Sequence, residues 1–360
     1  MEGAIVNITV MLYGYLAVCL SVIFFNVAYV MTQRWGHGIF GPFDRKFEQK
    51  MYKAWNEGVN RKHQNYLLRK SKHLRYITAF ERILSEMSEK DSEKTDVYIK
   101  SLNTVVCQCL LVAKKRDQLT AAYWAFFIGK HHLYREVEIP ILTEKLLQMV
   151  TWGNVYSREN ALQALYSIGN VKDVISGLKL LNSSKHLHNQ KAVSDGLLGF
   201  SGDKKKLNQA LWELLDSLQP WYQVAILNYL RFSTDTYCRE MLELLTCPDK
   251  DIEVHLAAVR YLSRYFYPPA KETLQYLAVE KNTGRWELAA VACTALSSYP
   301  SSESETILKE NLHSRNWYIR TNAADSLQRM GLDYFDLIDV IDGADRYAAE
   351  AVSYRMKRAN

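Results

Sequence analysis

The sequence predicts an all-α protein in which one membrane-spanning helix precedes an α-solenoid of repeated helical hairpins. Two observations lead to this fold class. The first 33 residues contain a long apolar segment, and the rest of the chain repeats one apolar helix pattern every 31–34 residues. The 360 residues are 48% hydrophobic and 23% charged, which is typical of globular rather than disordered proteins. We expect an anchor over residues 1–33, a basic hinge and amphipathic helix over 34–90, and the solenoid over 91–360.

The N-terminal segment is almost continuously apolar from Ala4 to Met31, and no charged residue lies between Glu2 and Arg34. About 20 such residues suffice to cross about 30 Å of hydrocarbon. A cleaved signal peptide would instead carry a basic start and a shorter apolar core. The segment around Cys19 is similar to a lipoprotein processing site, but the apolar run continues well past it. The segment is therefore predicted to remain as an anchor.

Charge around the segment predicts its orientation. Residues 1–90 hold 13 Lys/Arg against 7 Asp/Glu, whereas residues 91–360 hold 32 of each. Basic residues near a span stay in the cytoplasm, so we expect a single-pass protein of the cell membrane with its N-terminus outside and the solenoid inside. A nucleic-acid binder would carry the excess on its folded body, so no nucleic-acid partner is expected. The basic residues near the span either set its topology alone or also contact anionic headgroups. These residues are Arg34, Arg45, Lys46, Lys50 and Lys53.

Small residues form one stripe along the predicted span. Such stripes let two helices approach closely in a bilayer, where packing drives association, and an amide can add an interhelical hydrogen bond. Chance is the alternative, because small residues are common in membrane helices. The predicted helix–helix contact comprises Gly14, Ala17, Ser21, Ala28 and Asn26.

Three glycines and Pro42 predict a turn-rich hinge over residues 35–42, after which Asp44 can cap a helix. An apolar helix face then continues to about residue 88. This basic amphipathic element either lies on the membrane or caps the solenoid, and the second interpretation is favoured because a first repeat needs a cap. The polar run over residues 89–94 marks the expected domain boundary.

The repeat is clearest when it is anchored on one leucine per unit. An apolar residue precedes each anchor by four positions, and another follows most of them by three, which defines one helix face. Second apolar helices are predicted between these helices over 174–181, 207–218, 241–245, 274–279, 307–312 and 335–341. Turn residues such as Gly169 and Gly202 separate the two helices of a pair, so each unit is a helical hairpin. The anchors are Leu165, Leu197, Leu230, Leu262, Leu296 and Leu327.

The repeat resembles short bacterial HEAT repeats of about 30 residues. The residues that carry the resemblance belong to the last clear unit: Asn316, Ile319, Arg320, Ala323, Ala324 and Leu327. It covers residues 157–355 and is weaker over 97–150, where residues 119–129 and 139–150 form a diverged pair. Asn316 stands where the family usually has Asp, and the arginine is absent from the units at 188–200 and 221–233. These motif positions are mostly core, so they specify fold rather than function.

The resemblance implies an extended binding surface rather than catalysis. We expect a membrane-tethered scaffold or accessory subunit that binds a protein partner, with no catalytic residue, metal or cofactor. By analogy with bacterial HEAT-repeat accessory proteins, one expected partner is an integral membrane enzyme such as a polysaccharide-forming glycosyltransferase. Some short HEAT-like proteins are bilin–protein lyases, but those are soluble, and the anchor argues against that alternative.

Aromatic residues recur near the starts of the first helices and would align along one edge of a solenoid. Such a ridge could bind a peptide or stack against sugar rings, which gives a ligand sensor as the alternative function. Packing between neighbouring repeats is the other explanation. The predicted partner-binding residues are Tyr156, Trp221, Tyr222, Trp286, Trp317 and Tyr318.

Other polar residues do not predict a site. Five aspartates spaced every third residue from Asp333 to Asp345 are expected to form a solvated acidic face. Cys107 and Cys109 are too closely spaced for a zinc pair, and the six cysteines are expected to be reduced. The sequence contains no Gly-rich phosphate loop, nucleophile elbow or metalloprotease motif.

Overall fold

The computed structural model describes residues 2–39, 41–114, 117–134 and 139–356, and side chains over 10–30, 45–114, 117–134 and 139–355. Within these ranges the protein is all-helical and contains no strand, as the sequence predicts. The chain forms two compact units, Met1–Trp124 and Ala125–Asn360. The sequence-predicted boundary after residue 90 falls inside the first unit.

The helices of the first unit are α1 (Glu2–Ile39), α2 (Gly41–Glu57), α3 (Arg61–Lys70), α4 (Leu74–Lys90), α5 (Ser92–Ser101) and α6 (Asn103–Val112), and α7 (Gln118–His131) crosses the division. Those of the second unit are α8 (Ile139–Val150), α9 (Val155–Ile168), α10 (Val171–Asn182), α11 (Gln190–Leu198), α12 (Lys204–Leu214), α13 (Pro220–Ser233), α14 (Cys238–Thr246), α15 (Ile252–Arg264), α16 (Lys271–Ala278), α17 (Glu280–Thr283), α18 (Trp286–Leu296), α19 (Ser302–Asn311), α20 (Trp317–Arg329), α21 (Ile338–Ile341) and α22 (Arg346–Met356).

Helix α1 contains the apolar segment. Its 21 residues Val10–Val30 have a mean hydropathy of 2.1, and none of the window is buried within the protein. The segment is therefore long and apolar enough to cross a membrane.

The region after the span differs from the predicted hinge. Helix α1 continues through Gly36 and Gly38 to Ile39, and α2 begins at Gly41 with Pro42 in its first turn. The local turn signals are overridden because glycine is tolerated in a helix at modest cost and proline is compatible with a first turn. Breaks between helices occur later, at Gly58 with its positive φ of 93° and at residues 71–73.

The apolar face of α2 forms the core of the first unit. Helix α2 packs on α4 and α5, which bury Phe47 and Met51 completely. Trp55 is fixed at the edge of this core by a 3.2 Å hydrogen bond from its indole N–H to the Thr95 hydroxyl. The apolar face of α2, which would enter the bilayer if this helix lay on a membrane, is therefore covered by α4 and α5. The polar face of α2, with its lysines, is left exposed.

Successive hairpins pack on one another in the second unit. The first helices form a continuous row in which α9 contacts α11, and α13, α15, α18, α20 and α22 follow in order. Second helices contact the first helix of the following hairpin, as in the pairs α14–α15 and α19–α20. All six anchor leucines are completely buried, and the residues four positions earlier are at most 1% exposed.

The third position of the predicted triple is less regular. Phe200 and Tyr299 are buried, whereas Ile168, Ser233, Tyr265 and Met330 are partly exposed. These residues lie at or beyond the helix ends, where the backbone turns away from the packed face. The core is therefore centred on the anchor and the residue four positions before it.

Buried tyrosines connect one hairpin to the next. The Tyr299 hydroxyl donates to the Leu262 carbonyl at 2.9 Å and accepts the Tyr267 N–H at 3.1 Å. Tyr261 makes the same kind of pair, donating to the Thr234 carbonyl at 2.6 Å and accepting the Tyr237 N–H at 3.2 Å. Burial raises the pKa of both phenols, so each remains a protonated donor.

Tyr299→Phe is expected to destabilise the protein by about 1–2 kcal/mol, because it leaves a backbone donor and acceptor of the preceding hairpin without their partner. Urea unfolding followed by circular dichroism measures the loss. Tyr276→Phe is the control: its exposed hydroxyl donates to the carbonyl of Asn282, six residues later, and bonds to no other group that the structure describes, so the change should cost less than about 0.5 kcal/mol. Equal effects would show that the inter-hairpin bonds do not contribute.

Candidate partner-binding surface

The start of α20 is held by local hydrogen bonds. Asn316 caps α20 by accepting the Tyr318 N–H at 2.9 Å, so asparagine performs the role expected of aspartate. The Arg320 guanidinium donates to the Ser314 and Arg315 carbonyls at 2.7 and 3.2 Å and closes the preceding turn. The first two residues of α20, Trp317 and Tyr318, are thereby fixed in direction.

Three aromatic rings from these two helix starts form an exposed cluster, which we call the aromatic cluster: Trp286, Trp317 and Tyr318. Trp286 and Tyr318 stack across the α18–α20 contact, with centroids 5.3 Å apart and an interplanar angle of 25°. Trp317 meets Tyr318 edge-on at 5.0 Å and 79°. The three side chains are 37%, 60% and 54% exposed, respectively. The rings are thus mutually oriented and still open to a ligand.

An additional aromatic residue, Tyr347, continues this edge on α22. Asp345 caps α22 by accepting the N–H groups of Tyr347 and Ala348. Tyr347 is 65% exposed, and the Arg320 guanidinium carbon lies 5.3 Å from its ring centroid. Sequence reasoning missed it, although a signal was present: Tyr347 follows its cap by two positions, as Tyr318 follows Asn316 and Tyr156 follows Asn154.

The other predicted aromatic residues fall outside the aromatic cluster. Tyr156 lies on α9 and is exposed, and Trp221 on α13 donates its indole N–H to the His188 carbonyl at 2.7 Å. Tyr222 is only 1% exposed and accepts the His188 N–H, so its placement on a surface ridge is corrected. It faces inward because residues 221 and 222 are adjacent on a helix and lie about 100° apart around its axis.

The side chain four residues after the N-cap holds the turn that precedes several first helices. Arg158 is buried and donates to the Trp152 and Gly153 carbonyls. Gln223 donates to the Leu218 carbonyl at 2.9 Å, which supplies the contact in a unit that has no arginine at this position. His255 lies 3.0 Å from the Cys247 carbonyl in the same register. These side chains thus hold the turns that precede their helices.

His188 is placed in a polar contact that the sequence did not reveal. Its imidazole Nε2 lies 2.7 Å from the Glu159 carboxylate, and this hydrogen bond is the main cause that lowers the pKa of Glu159. The imidazole is almost completely buried. The pair connects α9 to the turn before α11 and is part of hairpin packing.

The predicted membrane-contact residues all lie on α1. Gly14, Ala17 and Ser21 are exposed, and Ala28 is partly exposed. The Ser21 hydroxyl donates to the Ala17 carbonyl at 2.8 Å, and the Asn26 amide donates to the Val22 carbonyl at 3.0 Å. These bonds satisfy donors within the helix, and the predicted interhelical contact remains a prediction.

The predicted basic residues fall on one helix where side chains are described. Arg45, Lys46, Lys50 and Lys53 are exposed on α2, and the side chain of Arg34 lies outside the described part.

In the described residues, no group of three or more His, Cys, Asp or Glu side chains could hold a metal ion. Asp333 and Asp345 of the predicted acidic face cap helical turns.

Comparison with known proteins assigns no family to the chain. No family model matches it, and no curated protein matches it.

Proposed function

We propose that this protein is a membrane-tethered scaffold or accessory subunit whose HEAT-repeat-like solenoid binds a protein partner in the cytoplasm. The single observation that carries the proposal is the aromatic cluster. Trp and Tyr are enriched among residues that dominate binding energy, and rings held in fixed mutual orientation lose little entropy on binding.

The tether follows from α1 and its flanking charge. None of this 21-residue apolar segment is buried within the protein, so lipid is the natural environment for it. The basic excess after the span favours a cytoplasmic body. A tether of this kind raises the effective concentration of a membrane-bound partner. This supports an integral membrane enzyme, such as a polysaccharide-forming glycosyltransferase, as the partner class.

The continuous row of first helices supports the binding role. Each hairpin contacts its neighbours, and the helix starts at α18, α20 and α22 bring aromatic side chains to one edge. Stacked repeats commonly present extended surfaces of this kind to other proteins.

Trp317→Ala is expected to weaken partner binding by more than about 30-fold, because truncation of a central aromatic anchor typically costs 2 kcal/mol or more. The full-length chain is purified from native membranes in mild detergent, the co-purifying protein is identified, and its affinity is measured with purified components. Phe335→Ala is the matched control, since Phe335 is 78% exposed but lies outside the aromatic cluster.

Two further comparisons separate the parts of the proposal. If deletion of residues 1–33 removes the partner from the membrane purification but the truncated chain keeps its affinity for the purified partner, the tether serves to concentrate the two proteins. If the truncated chain also loses that affinity, the partner contacts α1. Equal binding by Trp317→Ala and Phe335→Ala would exclude the aromatic cluster as the docking surface. If the full-length chain purifies alone while glycans quench tryptophan fluorescence, the scaffold proposal is wrong and the ligand-sensor alternative replaces it.

A further inference from the structure

A small basic pocket lies between α2 and α3 in the first unit. It has a volume of about 170 Å³, and its lining includes Lys50, Lys53, Glu57, Lys62, His63 and Tyr66. The pocket is separate from the aromatic cluster, which belongs to the second unit.

Two of the three lysines lack a carboxylate partner. Lys53 lies 3.7 Å from Glu57, whereas Lys50 and Lys62 form no ion pair within the described part of the chain. The Lys50 ammonium lies 3.9 Å from the centroid of the Tyr66 ring, which holds it over the aromatic face at the pocket wall. Two ammonium groups at one pocket favour an anion as its occupant.

His63 adds an unused polar ring atom to the pocket wall. Its side chain is almost completely buried, and Nε2 lies 2.9 Å from the Tyr98 hydroxyl. The tautomer of His63 sets which of the two groups donates in this contact, and Nδ1 carries the proton in one tautomer and the lone pair in the other. Nδ1 has no hydrogen-bond partner among the residues that the structure describes. Burial and the Lys50 charge lower the pKa of His63, which keeps the imidazole neutral.

The combination of charges and acceptors specifies the ligand chemistry. A phosphate is attracted by the ammonium groups and by the first turn of α3. In that turn the backbone N–H groups of Arg61 and Lys62 precede the first helical hydrogen bonds. The neutral His63 imidazole and the Glu57 carboxylate complement hydroxyl groups on the same ligand, because a hydroxyl both donates and accepts hydrogen bonds. We propose that this pocket binds a phosphate group bearing hydroxyls, as in the headgroup of phosphatidylglycerol.

The position of the pocket favours a lipid source, and this part rests on the proposed membrane tether. Nine residues of α1 follow Val30, equivalent to about 14 Å of helix, before α2 begins at Gly41. The pocket residues begin on α2 itself. The anchor therefore keeps this basic surface close to headgroups, where anionic lipid attracts basic residues.

The test uses full-length protein in nanodiscs of phosphatidylcholine, alone or mixed with phosphatidylglycerol, and measures lysine acetylation by mass spectrometry. We expect acetylation of Lys50 and Lys62 to slow several-fold with phosphatidylglycerol. Lys46 is the matched control, because it is exposed on the same helix but does not line the pocket. Equal protection of all three lysines would indicate diffuse attraction to the surface and overturn the pocket.

Further arms distinguish the source and the contribution of each lysine. Glycerol 3-phosphate is added to phosphatidylcholine nanodiscs: protection of Lys50 by this soluble probe alone supports a free phosphate compound and overturns the lipid source. Lys62→Gln should abolish the protection of Lys50, whereas Lys46→Gln should leave it intact. Protection by neither probe overturns the inference while leaving the tether standing. Failure of the protein to enter nanodiscs would instead contradict the proposed membrane anchor.

Discussion

Gly202→Ala is expected to lower the free energy of unfolding by about 3 kcal/mol, because two turns approach each other too closely for any side chain. A Cβ at position 202 would collide with the Gly169 carbonyl oxygen and lie 2.7 Å from the Phe200 ring. The collision involves backbone, which cannot move aside by changing rotamer. The Ser201 N–H also donates to the Tyr166 carbonyl at 3.1 Å, so displacement of the turn would break a bond between hairpins.

The matched control is Gly284→Ala. Gly284 has a φ of 65°, and a Cβ there would meet nothing within 4 Å. That change should cost about 1 kcal/mol from left-handed backbone alone. Urea unfolding of both variants and the parent chain measures the difference. If the two substitutions cost the same, the close approach of residues 169 and 202 is not required for stability.

Leu262→Ala is expected to destabilise the second unit by about 3 kcal/mol, because it removes a completely buried anchor and leaves a cavity between α15 and its neighbours. Leu187→Ala is the control, since Leu187 is 60% exposed and should change stability by less than about 0.5 kcal/mol. Chemical denaturation provides both values.

The location of the effect tests the solenoid architecture. In a stack where each repeat contacts only its neighbours, hydrogen exchange should accelerate mainly in α13, α15 and α18 and remain close to the parent value in α9. Uniform acceleration across the second unit would show that it unfolds as one cooperative globule, which would contradict a repeat stack.

Several elements follow from sequence periodicity. The segments predicted for the second helices lie in or overlap α10, α12, α14, α16, α19 and α21, and each anchor leucine is fully buried. Helix periodicity is local, and burial of an apolar stripe requires only that some partner cover it. The region after the span was less predictable, because Gly36 and Gly38 have weak local preferences that the surrounding helix overrides.

The candidate site was predictable only in part. Trp286, Trp317 and Tyr318 were identified from their positions at helix starts, but their stacking depends on the α18–α20 packing. Tyr222 was assigned to the wrong side of its helix, since an aromatic ring fits a core and a surface equally well. The pocket around Lys50 and Lys62 was not foreseen as a pocket, because it depends on how α2 and α3 meet after the break at Gly58.

The sequence by itself determined the helical class, the apolar segment and the register of the buried leucines, because each depends on spacing along one helix. Only the tertiary structure decided which side chains from different helices meet: the stacked rings of Trp286 and Tyr318, the contact between the turns at residues 169 and 202, and the pocket beside His63. The physical reason is that such contacts depend on the distance and angle between packed helices, which side chains at many positions determine together.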